Sequence, residues 1–248
     1  MTAVIRGVLD ATQILDPIQA AVQQEDRHTP EQIEADKYSL ELLKQFFPGE
    51  NIDTELGYGG SSADIQRRRT LSACERDYPS QDVGYFYAPM TRFGPGANDC
   101  RATGAVAVID NSDRRVGRNA RVDPTWNDSA GINQFPADNR AALHLIASAN
   151  GEAGNTLRNF VPGYQDPVNY PNMFWALEKP VNTAAKTQTV SLGVLPVYTR
   201  SSDRNFPSGL AIPSALRFKA EGSKGFSLNC TIYLDLQSAS TNRGVTCT

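Results

Sequence analysis

Residues 138–178, DNRAALHLIASANGEAGNTLRNFVPGYQDPVNYPNMFWALE, decide how this chain is expected to fold. The apolar run at 141–148 predicts a strand, and it contains His144, one of only two histidines in the sequence. Asn159 follows at a predicted turn closed by Pro162. Residues 168–185 predict an amphipathic helix, opened by Asn169, because apolar side chains recur there at helical spacing. The stretch therefore predicts a strand, a loop and a helix.

Further apolar runs on both sides of this unit predict more strands. They are TGAVAVID at 103–110, TVSLGVLPVYT at 189–199, SGLAIPSALRF at 208–218 and FSLNCTIYLDL at 226–236. Strands, one well-placed helix and then strands again are typical of an α+β domain around a central antiparallel sheet.

We expect three segments along the chain. Residues 1–50 form a helical N-terminal segment, in which Thr29, Pro30 and Gln32 predict a helix start with a capping box. Residues 51–99 are rich in Gly, Ser and Pro and predict a loop-rich connection. Residues 100–248 form the α+β domain.

Composition places the chain among ordinary globular proteins, at 248 residues, 40% hydrophobic and 21% charged. No apolar run approaches the ~20 residues that span a bilayer, so we expect no membrane insertion. Residues 1–60 carry eleven acids against four bases, whereas the remainder carries sixteen acids against twenty bases. An acidic leader thus precedes a mildly basic body, and a basic body suits a polyanionic partner.

Four cysteines are present without C-x-x-C spacing, which argues against a zinc site. Two disulfides are expected, and the short separations favour Cys74–Cys100 and Cys230–Cys247. The alternative is four buried thiols in a cytosolic protein. Paired cysteines predict a secreted or extracellular protein, although the N-terminus lacks the charged-then-apolar order of a signal peptide.

His144 has two interpretations. A histidine on an apolar strand is most often a core residue whose ring nitrogens bond to backbone. The alternative is a catalytic role, because Asn159, Asn169 and Glu178 follow it in a strand, loop and helix order. The other histidine, His28, lies in the polar stretch EDRHTPEQ, so His144 is the catalytic candidate.

The second half of the opening stretch resembles the DNA/RNA non-specific endonuclease family of the ββα-metal superfamily, in its bacterial extracellular and toxin-borne branch. The residues that carry the resemblance are Asn159-Phe-Val-Pro162, Asn169, Met173, Trp175 and Glu178, with HLIA after His144 and VLPVY at 194–198. The match covers roughly residues 100–235. The family has Arg-Gly-His at the histidine, whereas this chain has Arg140-Ala-Ala-Leu-His144.

The resemblance implies a ββα-metal nuclease finger and a role for each matched residue. His144 would be the general base, and Asn169 would hold Mg²⁺ or Mn²⁺. Asn159 and Glu178 would hold metal-bound waters or orient neighbours. Arg140 would stand for the family arginine.

A phosphate-binding arginine is also implied in the loop before the histidine strand. Four arginines lie there: Arg114, Arg115, Arg118 and Arg121. Arg118 and Arg121 are the favoured pair, since a guanidinium can contact two phosphate oxygens at once.

Physical chemistry supports the same assignment. A neutral imidazole can take a proton from water, which contributes ~10²–10⁴-fold to a rate. Burial against Leu143, Leu145 and Ile146 would keep the ring neutral. A neutral amide ligand such as Asn169 leaves the full charge of a metal ion facing the phosphate.

The expected function is therefore a metal-dependent, sequence-nonspecific endonuclease acting on DNA and RNA. One alternative is a catalytically weakened nucleic-acid-binding module on the same scaffold, because of the altered RAALH motif. Another is a nuclease toxin domain that an immunity protein inhibits.

Overall fold

A computed structural model describes residues 29–50, 52, 84–92, 100–114, 132–151, 156–198, 211–234 and 244–248. The helices are α1 (Pro30–Phe46), α2 (Gln165–Glu178), which is π-helical and kinked, and α3 (Lys179–Ala184). The strands are β1 (Tyr85–Tyr87), β2 (Thr91–Arg92), β3 (Cys100–Arg101), β4 (Ala105–Ile109), β5 (Arg140–His144), β6 (Phe160–Tyr164), β7 (Val190–Val197), β8 (Ala215–Gly222), β9 (Ser227–Tyr233) and β10 (Val245–Cys247). Short 3₁₀ turns occur at Ile132–Gln134, Ser148–Asn150 and Leu157–Asn159.

Six strands form the main sheet, in the order β1-β4-β7-β8-β9-β10. Every neighbouring pair in it is antiparallel, and β5–β6 and β2–β3 form two separate antiparallel pairs. The predicted α+β class and its antiparallel sheet are confirmed.

Helices cover both faces of the sheet, and β4 shows how its side chains divide. Ala105, Ala107 and Ile109 belong to the main core, which also contains residues of α2, α3 and the β5–β6 pair. Val106 points the other way and packs with Leu40, Leu43 and Phe47 of the α1 region. Successive side chains of a strand alternate between faces, so one short apolar strand serves both layers.

Helix α1 begins as predicted. The Thr29 side chain accepts a hydrogen bond from the backbone N–H of Gln32 at 3.3 Å, and the Gln32 side chain accepts one from the N–H of Thr29 at 2.8 Å. This capping box is confirmed. Gly193 on β7 allows the helix to come close, since a Cβ there would lie 2.6 Å from Cγ of Phe46.

A disulfide joins Cys230 of β9 to Cys247 of β10, as predicted. The two residues lie directly opposite each other in the antiparallel pair, with their Cα atoms 4.0 Å apart. Cys100 is also disulfide-bonded, and Cys74 lies outside the described residues. No helix in the described ranges is long and apolar enough to cross a bilayer.

Candidate functional site

The site begins with the β5–β6 hairpin, which corrects two expectations. The predicted strand at 141–148 is shorter and ends at His144. Pro162 does not close a turn: it lies inside β6, opposite Ala142. The backbone bonds Leu145 N to Asn159 O and Gln165 N to Asn139 O flank this pairing. By alternation, the Pro162 pair is one that exchanges no hydrogen bonds, so the missing N–H removes none from the hairpin.

His144 lies at the end of β5, directly opposite Phe160. The two rings pack edge to face with centroids 4.7 Å apart, and Phe160 belongs to a small core with Cys100 and Leu157. Leu143, an expected neighbour, belongs to the main core instead. Burial lowers the pKa of His144 from 6.5 to about 4, so the imidazole is neutral at pH 7. It makes no hydrogen bond to any described residue.

Asn159 fixes the backbone just after His144. Its side chain is fully buried. Its Oδ1 accepts from the N–H of Ile146 at 2.8 Å, and its Nδ2 donates to the carbonyl of the same residue at 3.0 Å. At the other end of the hairpin, Asn139 makes the same two bonds to the backbone of Asp166. Of the roles expected for Asn159, the orientation of its neighbours fits these contacts.

Asn169 does not open the continuous helix, contrary to expectation. Asp166 and Tyr170 have extended φ/ψ angles, and both precede prolines with cis peptide bonds. Asn169 therefore lies in a separate turn, and the continuous π-helical part begins at Pro171. Its Nδ2 donates to Oε1 of Gln165 at 2.9 Å, which leaves its Oδ1 without a donor among the described residues.

Glu178 lies near the end of α2, beside the buried residue Leu177. Burial raises the pKa of the Glu178 carboxyl above its usual value. The carboxyl forms no hydrogen bond or ion pair within the described ranges. Unpaired ionisable groups with shifted pKa values are features of functional sites.

One arginine of the predicted loop reaches this part of the helix, and it is Arg114. Its Nε and Nη2 both donate to Oδ1 of Asn182 at 3.1 Å, and its Nη1 donates to Asn111 at the same distance. Nδ2 of Asn182 donates to the carbonyl of Ala149 at 2.8 Å. Asn182 lies one helical turn after Glu178, so these bonds connect the Glu178 side of the helix to the loop that follows β5.

Arg140 lies at the opposite end of β5 from His144. Arg140 is exposed, and its Nη1 donates to Asn133 at 2.7 Å. It lies four residues before His144 on an extended strand, about 13 Å away. Arg115, Arg118 and Arg121 lie outside the described residues.

The site residues thus form two groups. His144 and Asn159 lie on the hairpin, whereas Glu178, Asn182 and Arg114 lie along the helix. The bond from Asn182 to Ala149 joins the groups, and within the described part of the chain no hydrogen bond joins His144 directly to Asn169 or Glu178. Asn182 was not predicted from the sequence, although its position four residues after Glu178 places it on the same side of the helix.

For a divalent cation, the site offers the neutral amide oxygen of Asn169 but no cluster of charged ligands among the described residues. The described residues contain no group of three or more His, Cys, Asp or Glu side chains that could hold a metal. The available Oδ1 of Asn169 fits one weakly held, mostly hydrated ion, because Mg²⁺ keeps several of its waters. No protein-family model, curated protein or solved structure matches the chain.

Proposed function

We propose that the protein is a metal-dependent, sequence-nonspecific endonuclease that hydrolyses phosphodiester bonds in DNA and RNA. Its ββα-metal finger would consist of β5, β6 and α2. One observation carries the proposal: the imidazole of His144 has no hydrogen-bond partner among the described residues. His144 is only partly buried, and its unbonded ring nitrogens are reached by solvent. A neutral, solvent-accessible imidazole nitrogen can accept a proton from water.

His144 is assigned the role of general base. Its lowered pKa keeps the imidazole neutral at pH 7, which is the form that accepts a proton from water. Two hydrogen bonds between the Asn159 side chain and the backbone of Ile146 hold the chain two residues after His144. Asn159 is therefore a positioning residue, which acts through the backbone that carries His144.

Arg114 is assigned to phosphate binding in place of Arg118 or Arg121. Its contacts with Asn182 and Asn111 fix the guanidinium one helical turn from Glu178. A guanidinium has five N–H groups, so some remain to bind phosphate oxygens. Glu178 would orient water at the same site.

Mg²⁺ or Mn²⁺ would be held by Oδ1 of Asn169 and would supply positive charge to the transition state. Because an amide carries no charge, Asn169 would leave that positive charge undiminished. The Cys230–Cys247 disulfide supports a secreted or exported location, since disulfides persist in oxidising compartments.

Plasmid nicking tests the proposal. We expect cleavage with Mg²⁺, no cleavage with EDTA, and a rate lower by ~10²–10⁴-fold for His144→Ala. His28→Ala is the matched control, because it removes the only other histidine in the sequence. Thermal unfolding checks that both variants are folded. Cleavage by His144→Ala at the wild-type rate would overturn the proposal.

Two further results would redirect the assignment. Metal-independent binding of nucleic acid without any cleavage would identify the weakened binding module. A small protein that co-purifies with the chain and blocks its cleavage would identify a toxin domain with its immunity partner.

A further inference from the structure

An open groove of about 700 Å³ lies between the segment formed by the end of α2 and α3 and the turn that joins β8 to β9. Its lining includes Trp175, Lys179, Lys186, Gln188 and Phe226. Trp175 is 51% exposed although it contacts both Phe174 and Lys179. An exposed tryptophan in a concave surface is a feature of binding sites, because its large ring is costly to leave in water.

The groove is positively charged. Lys179 holds its Nζ 3.8 Å from the centre of the Trp175 ring, and Lys186 is exposed in the lining. Lys224, in the β8–β9 turn, is connected to the lining because its Nζ donates to the carbonyl of the lining residue Thr187. No Asp or Glu is among the lining residues, and none of the three lysines forms an ion pair within the described part of the chain.

Hydrogen bonds hold the β8–β9 side of the groove against the helix end. Oε1 of Gln188 accepts from the N–H of Lys224 at 2.8 Å, and Nζ of Lys224 donates to the carbonyl of Thr187 at 2.5 Å. The N–H of Ser223 donates to the carbonyl of Thr189 at 2.9 Å. The groove is therefore formed before any ligand arrives.

The groove adjoins the proposed catalytic side of the helix. Trp175 and Lys179 lie on one face, and Glu178 and Asn182 lie on the next. Glu178 and Asn182 each follow a member of the first pair by three residues, so the two pairs are neighbours on the helix surface. A chain that passes Glu178 can thus continue into the groove without crossing the buried face of the helix.

We propose that this groove binds a single strand of nucleic acid, with a base stacked on Trp175 and backbone phosphates at Lys186 and Lys224. Aromatic rings beside lysines suit this ligand, because every base can stack and every phosphate is negative. The location next to the cleaved bond rests on the proposed function. The binding itself does not.

Trp175 supplies the readout, because the sequence contains only one other tryptophan, Trp126. A Trp126→Phe protein is titrated with a short oligothymidylate in EDTA, where no cleavage occurs. We expect quenching of Trp175 fluorescence that weakens with added salt. Lys186→Glu with Lys224→Glu should reduce the affinity about tenfold or more. Lys37→Glu with Lys44→Glu, the same reversal on α1, is the matched control and should reduce it less.

Three results would overturn the proposal that the groove binds nucleic acid. They are no quenching by the oligonucleotide, equal affinity in the groove and control variants, or equal quenching by polyglutamate. The last would identify an acidic polypeptide as the occupant. The two proposals can fail separately. If the oligonucleotide quenches Trp175 but His144→Ala cleaves at the wild-type rate, the groove is supported and only the catalytic role of His144 is contradicted.

Discussion

Arg158 and Asp36 form a buried ion pair between residues that are 122 positions apart in the sequence. Nη1 of Arg158 lies 2.5 Å from Oδ1 of Asp36, and each side chain is only 2% exposed. Asp36 is on α1, and Arg158 directly precedes Asn159. The pair therefore joins α1 to the 3₁₀ turn Leu157–Asn159. The Asn159 side chain of that turn bonds to the backbone of Ile146.

Removing one partner of this pair should destabilise the fold strongly. Asp36→Ala removes the carboxylate that pairs with the buried guanidinium of Arg158, and breaking a buried ion pair costs about 3–5 kcal/mol. The double variant Asp36→Leu, Arg158→Met should recover much of that loss, because it removes both charges of the pair. Urea unfolding measures both. Lys37→Ala, which breaks the exposed pair with Glu34, should cost less than about 1 kcal/mol. Equal losses for Asp36→Ala and Lys37→Ala would contradict the expectation.

Acid should weaken the fold through His144. Its pKa is 6.5 as the unperturbed group and about 4 in the folded protein, so the unfolded chain binds a proton there that the folded chain excludes. Stability is full above pH 6.5 and falls as the pH drops toward 4. At 1.36 kcal/mol per unit, the loss from pH 7 to pH 5 is about 2 kcal/mol.

A non-titrating variant isolates this contribution. The wild type should lose about 2 kcal/mol more than His144→Gln between these pH values, because only the wild-type imidazole takes up the proton. Denaturant unfolding at both pH values gives the comparison. The same pH dependence in the two proteins would show that the ring titrates freely in the folded state.

Asn159→Ala should lower both stability and turnover. It leaves the N–H and carbonyl of Ile146 unpaired in a buried place, at a cost of about 2–4 kcal/mol. Since Ile146 follows His144 by two residues, we expect kcat to fall with little change in KM. The matched variant is Asn139→Ala, which removes the same pair of bonds at the less buried end of the hairpin. A larger loss of kcat in Asn139→Ala would refute the positioning role.

Asn169 substitutions should separate metal affinity from turnover. Asn169→Asp adds a negative charge, so Mg²⁺ should bind more tightly while turnover falls, and Asn169→Ala should lose both. Calorimetric titration with Mg²⁺ measures affinity independently of cleavage. Asn172→Ala, on the first turn of the continuous π-helical part, is the control. Unchanged Mg²⁺ affinity in Asn169→Ala would exclude Asn169 as the ligand.

Local signals predicted the elements that depend on local chemistry. The capping box at Thr29 and Gln32 specifies the start of α1 through bonds within one turn. The apolar runs of β4, β7 and β9 are long enough to be recognised as strands, whereas the strand predicted at 208–218 overlaps β8 (Ala215–Gly222) only at its end. The order of these elements indicated the antiparallel sheet. The β9–β10 disulfide was favoured by its short loop, although β10 itself has only three residues and was missed.

Features that depend on the assembled fold were missed or misplaced. Pro162 and Gly163 are typical of a turn, and only the pairing with β5 shows why they are tolerated in a strand. Nothing near Arg158 in the sequence indicates that Asp36 is its partner. The contacts between Arg114 and Asn182 likewise join residues that are 68 positions apart in the sequence.

The strands at the two edges of the main sheet affect how readily the protein aggregates in concentrated solution. Among the strands that the structure describes, the outermost are β1 and β10, with only three residues each, whereas β9, just inside β10, has seven. A long open strand edge invites pairing with another chain, which leads to aggregation. The bond between Cys230 and Cys247 keeps β10 over that edge. The oxidation state of one cysteine pair therefore helps to keep neighbouring molecules from joining through their sheets.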